Sequence, residues 1–250
     1  MSNNMDNKTQ QGNGVFFNTI AHIYTDFPTK FGVPRQSGLV ESLQGKIIFE
    51  KEYQTPEAIR GLEEYSHIWL LWYFSQSNNK KGWSPTVRPP RLGGNKRVGV
   101  FATRSPFRPN PIALSAVKLD KIEITKEYGP VLYVTGADIV SGTPIFDIKP
   151  YLPFADCYPQ ANGGFAHKVK DYSLNVNFPP HLLKLIPPQK QTALLQILQE
   201  DPRPSYHNDP QRIYGFEFSN LEIKFTVDNS ILTVVAVENI NTQAEVSTEV

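Results

Sequence analysis

Short runs of β-branched and aromatic residues, each bounded by Gly, Pro or Asn clusters, recur through the first two thirds of the chain. Such runs read as half-buried strands. They predict strands at residues 16–24 (FFNTIAHIY), 45–49, 67–74 (HIWLLWYF), 97–102, 112–124 and 131–139. One helix is predicted over residues 55–65: Thr55 is placed to cap it, Pro56 suits its first turn, and Ala58, Ile59 and Leu62 form an apolar stripe. Many short strands with few helices argue for a barrel or sandwich and against an alternating parallel sheet. The pattern changes after Pro159. Residues 160–170 read as a linker, and a helix is predicted over 187–200, with Ala193, Leu194, Ile197 and Leu198 at helical spacing. Alternating strands follow at 213–218, 221–227 and 231–237, the last two joined by a tight turn at Asp228-Asn229-Ser230. The expected organisation is mainly β: a domain over residues 15–160, a small α+β C-terminal domain over 161–240, and polar tails at 1–14 and 241–250.

Composition adds exclusions. Forty per cent of the 250 residues are hydrophobic, enough for a core. The single cysteine, Cys157, rules out an internal disulfide and a cysteine-only metal site, and is expected to be a buried thiol. The polar N-terminus lacks an apolar signal core, and no apolar run approaches the roughly 20 residues of a membrane span. These features favour a soluble, cytoplasmic protein. The five histidines are scattered, with no zinc-ligand spacing, so no metal is expected. The Walker loop, the GxGxxG fingerprint and the GxSxG elbow are all missing. Any nucleotide-like cofactor must be held in some other way than on a Rossmann sheet.

Charge is segregated. No acid lies between Glu64 and Asp120, a stretch carrying nine cations: Lys80, Lys81, Arg88, Arg91, Lys96, Arg97, Arg104, Arg108 and Lys118. The remainder has 16 cations against 24 acids, a balance of −8, although the whole chain carries only +1. Either this segment is a local anion-binding surface or it is a solvated face.

Three segments have compositions that a plain core does not require. Residues 30–38 (KFGVPRQSG) put Arg35 and Gln36 on a stiff loop suited to a polar ligand. Residues 98–119 (VGVFATRSPFRPNPIALSAVKL) frame Arg104 and Arg108 with Pro106, Pro109 and Pro111, two guanidiniums placed to grip a carboxylate or phosphate. Residues 137–156 (ADIVSGTPIFDIKPYLPFAD) turn at Gly142 and Thr143, offering backbone amides and a hydroxyl, with Asp138, Asp147 and Asp156 nearby. Each segment also has a purely structural reading as a turn or cap.

Together with YSHIWLLWYF, and with DPRPSY and Tyr214-Gly215 further on, these segments resemble the TrmO (YaeB or TsaA-like) family of tRNA methyltransferases. The resemblance implies a single-sheeted β-barrel that binds S-adenosylmethionine and works as a homodimer. It implies methylation of the N6 nitrogen of N6-threonylcarbamoyladenosine at position 37 of the tRNA anticodon loop. Family cofactor positions fall on Pro34, Arg35 and Gln36, on His67 and Ile68, on Arg104, on Leu114, and on the turn made by Asp138, Ile139, Val140, Ser141, Gly142, Thr143 and Pro144. Ser141 stands where the family usually has an acid.

With a tRNA partner, Lys80, Lys81, Arg88, Arg91, Lys96, Arg97 and Arg108 become phosphate-contact candidates. Arg203 and Tyr206 become candidates for the modified base, with Arg104 or Arg203 on the threonyl carboxylate. Trp83, Tyr65, Phe107 and Tyr206 are candidate stacking rings, and Asp138, Asp201 and Tyr206 are candidates for the catalytic base. The alternatives are a non-catalytic barrel that binds RNA or a nucleotide, and a methyltransferase acting on a small molecule.

Overall fold

Strand β1 (Ala21–Thr25) pairs antiparallel with β2 (Gln44–Phe49) on one side and with β8 (Thr143–Pro150) on the other. The ring closes through β3 (His67–Tyr73), β6 (Ile112–Thr125) and β7 (Gly129–Thr135), in the order β1-β2-β7-β6-β3-β8. The computed structural model describes residues 15–77, 82–92, 95–167, 171–203 and 209–240. Closure leaves the barrel no free edge. Six strands leave no channel, so inward side chains fill the interior: Ala21, Ile23, Ile47, Ile68, Leu70, Val117, Leu132, Val134 and Ile145 are buried in one cluster. The inward set follows the period of two, as in β3, where Ile68, Leu70 and Trp72 are buried.

Outside the barrel, β4 (Thr86–Val87) and β5 (Val98–Gly99) form a two-stranded ribbon. Beyond the short helices α1 (Pro153–Asp156) and α2 (Gly164–His167), a second sheet has the order β10 (Tyr214–Phe218), β11 (Leu221–Asp228), β12 (Ile231–Asn239), β9 (Asn175–Asn177). Helix α3 (Pro180–Leu183) and helix α4 (Pro188–Gln199) complete this C-terminal domain. Ala193, Leu194, Ile197 and Leu198 of α4 are buried with Phe218, Phe225 and Leu232 of the sheet.

That second core also takes in part of the N-terminal half. The loop joining β1 to β2 contributes Phe27, Val40 and Leu43 to it, with Phe27 against Phe218 at 5.6 Å between ring centroids. Ser42 donates to Gln196 Oε1 at 2.6 Å, and Lys190 pairs with Asp26. The loop carrying KFGVPRQSG is therefore clamped between the two domains.

Several expectations are corrected. The helix expected over 55–65 is two 3-10 turns, Pro56–Ile59 and Leu62–Glu64. Arg60 is extended and Gly61 is left-handed, which breaks the helical path, and Thr55 gives its hydroxyl to Glu57 instead of capping. The first strand starts at Ala21, and Phe16 ahead of it is 96% exposed. Residues 97–102 hold only two strand residues before the 3-10 turn Val100–Ala102, and β7 stops at Thr135. Strand β8 was hidden by Pro144 and Pro150, which sit near its two ends where a missing N–H is tolerated. Cys157 is exposed, not buried. Among the described residues, no helix is long and apolar enough to cross a membrane.

Candidate active site

Because β3 and β6 run antiparallel with Tyr73 opposite Ile112, the end of β3 and the start of β6 lie at one mouth of the barrel. Three loops gather there: 30–36, 103–108 and the turn after β7. They enclose a cavity of about 610 Å³, a size typical of small-molecule sites. Trp72, Ile112, Ala113 and Leu114 supply apolar wall, and Lys30, Arg35, Arg104 and Arg108 supply positive charge. Asp138 is the one carboxylate among the described lining residues.

A hydrogen-bonded chain runs beneath that carboxylate. The Trp72 indole N–H donates to Ser115 Oγ at 2.9 Å, and Ser115 donates to Asp138 Oδ1 at 2.6 Å. Ser115 is 1% exposed, a polar residue turned inward in an apolar strand. Burial pushes the Asp138 carboxyl up from its ordinary range; the Ser115 hydrogen bond and the charge of Arg104 pull it back without cancelling the rise.

The opposite wall is a second relay. Arg104 Nη1 donates to Gln36 Oε1 at 2.6 Å, and the Gln36 amide donates to the Arg35 carbonyl. Arg35 Nη2 donates to the carbonyls of Arg203 at 3.1 Å and Asp201 at 3.4 Å. Arg108 lines the cavity but gives Nη1 to the carbonyls of Thr103 and Ser105 in its own loop. The two arginines of the proline-rich segment therefore do different jobs: Arg104 orients Gln36 and Arg108 stiffens the loop.

The turn from Asp138 to Pro144 divides in two. Asp138, Val140 and Thr143 line the cavity. The amides of Gly142 and Thr143, expected to be open to a ligand, are taken by the carbonyls of Ile23 and Val140, and that of the neighbouring Ser141 by the carbonyl of Phe27. The Ile139 carbonyl accepts from the Thr25 hydroxyl, Ser141 Oγ accepts from the Thr25 amide, and Pro144 lies opposite His22 in the β1–β8 ladder. These contacts tie the turn to β1.

Of the other positions singled out in the sequence, Pro34 lies in the cavity wall beside Arg35 and Gln36. His67 and Ile68 do not. They sit at the far end of β3, Ile68 four residues from Trp72, or ~13 Å at strand rise. Ile68 is 0% exposed in the barrel core, and His67 Nδ1 shares a hydrogen bond with Ser66 Oγ.

Asp201 and Arg203 are buried against each other, with Nε to Oδ1 at 2.8 Å and Nη2 to Oδ2 at 2.9 Å, and the Tyr172 hydroxyl donates to Asp201 Oδ2 at 2.9 Å. Burial alone would raise the Asp201 carboxyl, but the hydrogen bonds from Arg203 and Tyr172 outweigh it and leave it below its ordinary range. Neither side chain faces the cavity as a lining group. Arg88, Lys96 and Arg97 are exposed on the ribbon, with Arg97 donating to Thr86 Oγ1 at 3.1 Å. Lys80, Lys81, Tyr206 and the side chain of Arg91 lie outside the described residues.

The sequence reading passed over Trp72, Ser115 and Lys30. Trp72 looks like any inward position of β3. Ser115 carried a signal, as the polar member of the inward alternation Ser115, Val117, Leu119. Among the described residues, no group of three or more His, Cys, Asp or Glu could hold a metal.

Comparison with known proteins agrees with this architecture. The profile of the tRNA-methyltransferase O N-terminal domain matches residues 22–157, and that of the TrmO C-terminal domain matches residues 171–240. The tRNA (adenine(37)-N6)-methyltransferase of Escherichia coli K12 is 40% identical over 230 residues, 89% of this chain and 97% of that protein. The enzyme of the same name from Eikenella corrodens is 44% identical over 174 residues, 69% of this chain and 97% of that protein. Two crystal structures of TrmO from Pseudomonas aeruginosa, 31% and 30% identical, align over 90% of this chain and 97% and 100% of theirs, with TM-scores of 0.71 and 0.69. With both domains matched in order and a barrel mouth shaped for a small ligand, the chain belongs to the TrmO family.

Proposed function

We propose that this chain transfers a methyl group from S-adenosylmethionine to the N6 nitrogen of adenosine 37 in tRNA, and that its substrate form is N6-threonylcarbamoyladenosine. The observation that carries the reading is the cavity at the barrel mouth, one carboxylate among four cations, in a chain 40% identical to a tRNA (adenine(37)-N6)-methyltransferase over 89% of its length.

When bound, the cofactor supplies an electrophilic methyl on a cationic sulfur. The donor set fits such a ligand: Arg104 and Gln36 suit its polar groups, and Leu114 and Ala113 its apolar faces. A threonyl carboxylate on the substrate finds Lys30, Arg35 and Arg104 on the same walls.

The accepting nitrogen gains a methyl and loses a proton, and the proton needs a destination. We assign that role to Asp138. Its raised carboxyl pKa makes it a stronger base than an ordinary aspartate, and Ser115 fixes its orientation. Alignment of nitrogen and methyl is the remaining task, which the stiff loops around Pro34 and Pro106 serve.

Asp201 and Arg203 we assign to holding the loop beside Arg35, not to chemistry. The reading includes a homodimer, and a cytoplasmic site of action, where tRNA is modified. Ile68 has only its backbone to offer, its side chain being sealed in the core.

The test is methyl transfer from labelled S-adenosylmethionine to tRNA with and without the threonylcarbamoyl group. Label should enter only the modified tRNA, at adenosine 37. Binding without transfer, or transfer to a small molecule alone, overturns the reading.

A further inference from the structure

On the β4–β5 ribbon, Trp83 and Phe101 form a near-parallel ring pair, 23° between planes and 6.5 Å between centroids. Both are large apolar groups left open to solvent, Trp83 at 51% and Phe101 at 73%. An isolated exposed aromatic needs no explanation, but two aligned rings on one short ribbon form a continuous π surface. The ribbon has little core of its own: the ladder is two rungs, Thr86 with Gly99 and Val87 with Val98, continued by Val100 N to Pro85 O at 3.0 Å.

The position of the pair is informative. Ser84, next to Trp83, donates its amide to the Phe107 carbonyl at 3.3 Å, and Phe107 lines the cavity. Thr103, two residues beyond Phe101, lines it too and donates its hydroxyl to the Val100 carbonyl at 2.8 Å. The rings therefore flank the rim of the methyl-transfer cavity. At the other end of the same ladder stand Arg88 and Arg97, both exposed, with the Arg97 guanidinium steadied by Thr86. Trp83 and Arg88 are five residues apart along the chain, a span of at most ~18 Å. The ribbon thus presents aromatic surface beside the cavity and cationic surface away from it, inside the segment that holds no acid between Glu64 and Asp120.

That ordering fits unpaired RNA. Bases stack on rings regardless of identity, while guanidiniums meet phosphates further along the strand. The tRNA reading supplies a ligand with the same order of groups, an unpaired base at the cavity and phosphates beyond it. We propose that Trp83 and Phe101 are a stacking platform for the unpaired nucleobase that flanks the target adenosine, holding the anticodon loop open while the target enters the cavity. The proposal rests on the tRNA reading above and adds to it a site that reads no base identity.

The experiment uses the full chain and tRNA carrying the threonylcarbamoyl group. Trp83→Ala and Phe101→Ala are each expected to raise KM for tRNA by about 5- to 150-fold, the range for loss of one base–aromatic stack. Affinity for S-adenosylmethionine should not move. The dependence of tRNA affinity on salt should keep its slope, since stacking releases no counterions. Trp83→Phe should restore most of the loss, and Phe101→Leu, which keeps apolar bulk without a ring, should not. In tRNA made abasic on either side of the target, one of the two abasic positions should cost as much as Trp83→Ala and add little to it. A parental KM in Trp83→Ala and in Phe101→Leu overturns the platform, as does weakened self-association with tRNA affinity intact. Failure of the parental protein to methylate tRNA at all overturns the tRNA reading instead, and the platform with it.

Discussion

Ser115 donates its hydroxyl to Asp138 Oδ1 over 2.6 Å while accepting the Trp72 indole N–H over 2.9 Å. The serine has a single proton, so the indole fixes the direction in which that proton points. Ser115 is thereby a positioning residue for Asp138, and its hydrogen bond is one of the interactions that hold the raised carboxyl back. In Ser115→Ala that restraint is gone, so the acidic limb of the kcat–pH profile for methylation should move to higher pH. Cofactor affinity should stay near parental. An unmoved limb would show that the titrating group is not Asp138.

Asp138→Asn tests the same carboxylate from the side of stability. A folded-state pKa above the unfolded value contributes stability that is present below the unfolded pKa, near 3.9 for a model aspartate, and is lost as pH rises through the folded pKa. Once ionised, the buried carboxylate is an ill-solvated charge that the amide lacks. Asp138→Asn should gain in melting temperature relative to the parent as pH rises, and the gain should disappear on acidification. Transfer should fall by orders of magnitude with cofactor affinity retained. Loss of cofactor affinity instead would make Asp138 a ligand holder and remove it as the base.

The run of β-branched and aromatic residues in each of β3, β6 and β7, bounded by Gly, Pro or Asn, announced these barrel strands. It could not announce which loops meet. Ser115 and Asp138 are 23 residues apart, and Arg35 reaches carbonyls more than 160 residues away; neither relation has a period or a spacing. The clamping of residues 26–43 into the second core was hidden for the same reason, since Phe27, Val40 and Leu43 form no pattern among themselves. Asp201 and Arg203 are the opposite case: two residues apart around Pro202, they pair within one turn of chain.

That pair yields a stability prediction. Removing one partner of a buried, bidentate ion pair typically costs about 3–5 kcal/mol, because the other charge is left uncompensated. Arg203→Ala should lower the melting temperature by ~6–20 °C at this chain length. Arg203→Lys should not restore it, since an ammonium cannot make both bonds. The Asp201 carboxyl lies below its ordinary range, so its contribution is present above the unfolded pKa and is lost as pH falls through the folded one. The difference between parent and Arg203→Ala should accordingly shrink in acid. An unchanged melting temperature would return Arg203 to the substrate side.

Gly32 sits where the clamped loop crosses the second domain. Its φ is +87°, and a Cβ there would lie 2.4 Å from Phe216 Cδ2. Alanine would meet both the left-handed penalty, roughly 1–2 kcal/mol, and an overpacking cost of about 1–3 kcal/mol. Gly32→Ala should therefore lower the melting temperature and, because Arg35 and Gln36 follow in the same loop, weaken S-adenosylmethionine binding. In combination with Phe216→Leu the losses should be less than additive, since the second change opens the space that the methyl needs. Strict additivity would place the defect in the backbone alone.

The exposed cations of the ribbon are expected to act through phosphate. Every phosphate-binding cation removed by substitution should make the log–log dependence of tRNA affinity on salt shallower by about 0.7–0.9. Arg88, Lys96 and Arg97 are exposed, and Arg97 is pre-oriented by Thr86 Oγ1 at 3.1 Å, which lowers the entropy cost of engaging a phosphate. Neutralising all three should shallow the slope by roughly 2–3 and weaken tRNA binding at low salt far more than at high salt. S-adenosylmethionine affinity should be untouched, because none of the three lines the cavity. Arg108→Gln is the contrast. Its guanidinium is engaged by the Thr103 and Ser105 carbonyls, so the change should disturb the cavity loop and cofactor binding while leaving most of the salt slope in place. Were the triple variant to keep the parental slope, the acid-free segment would be a solvated face, and the phosphate-binding groups would have to be sought among other cations of the chain.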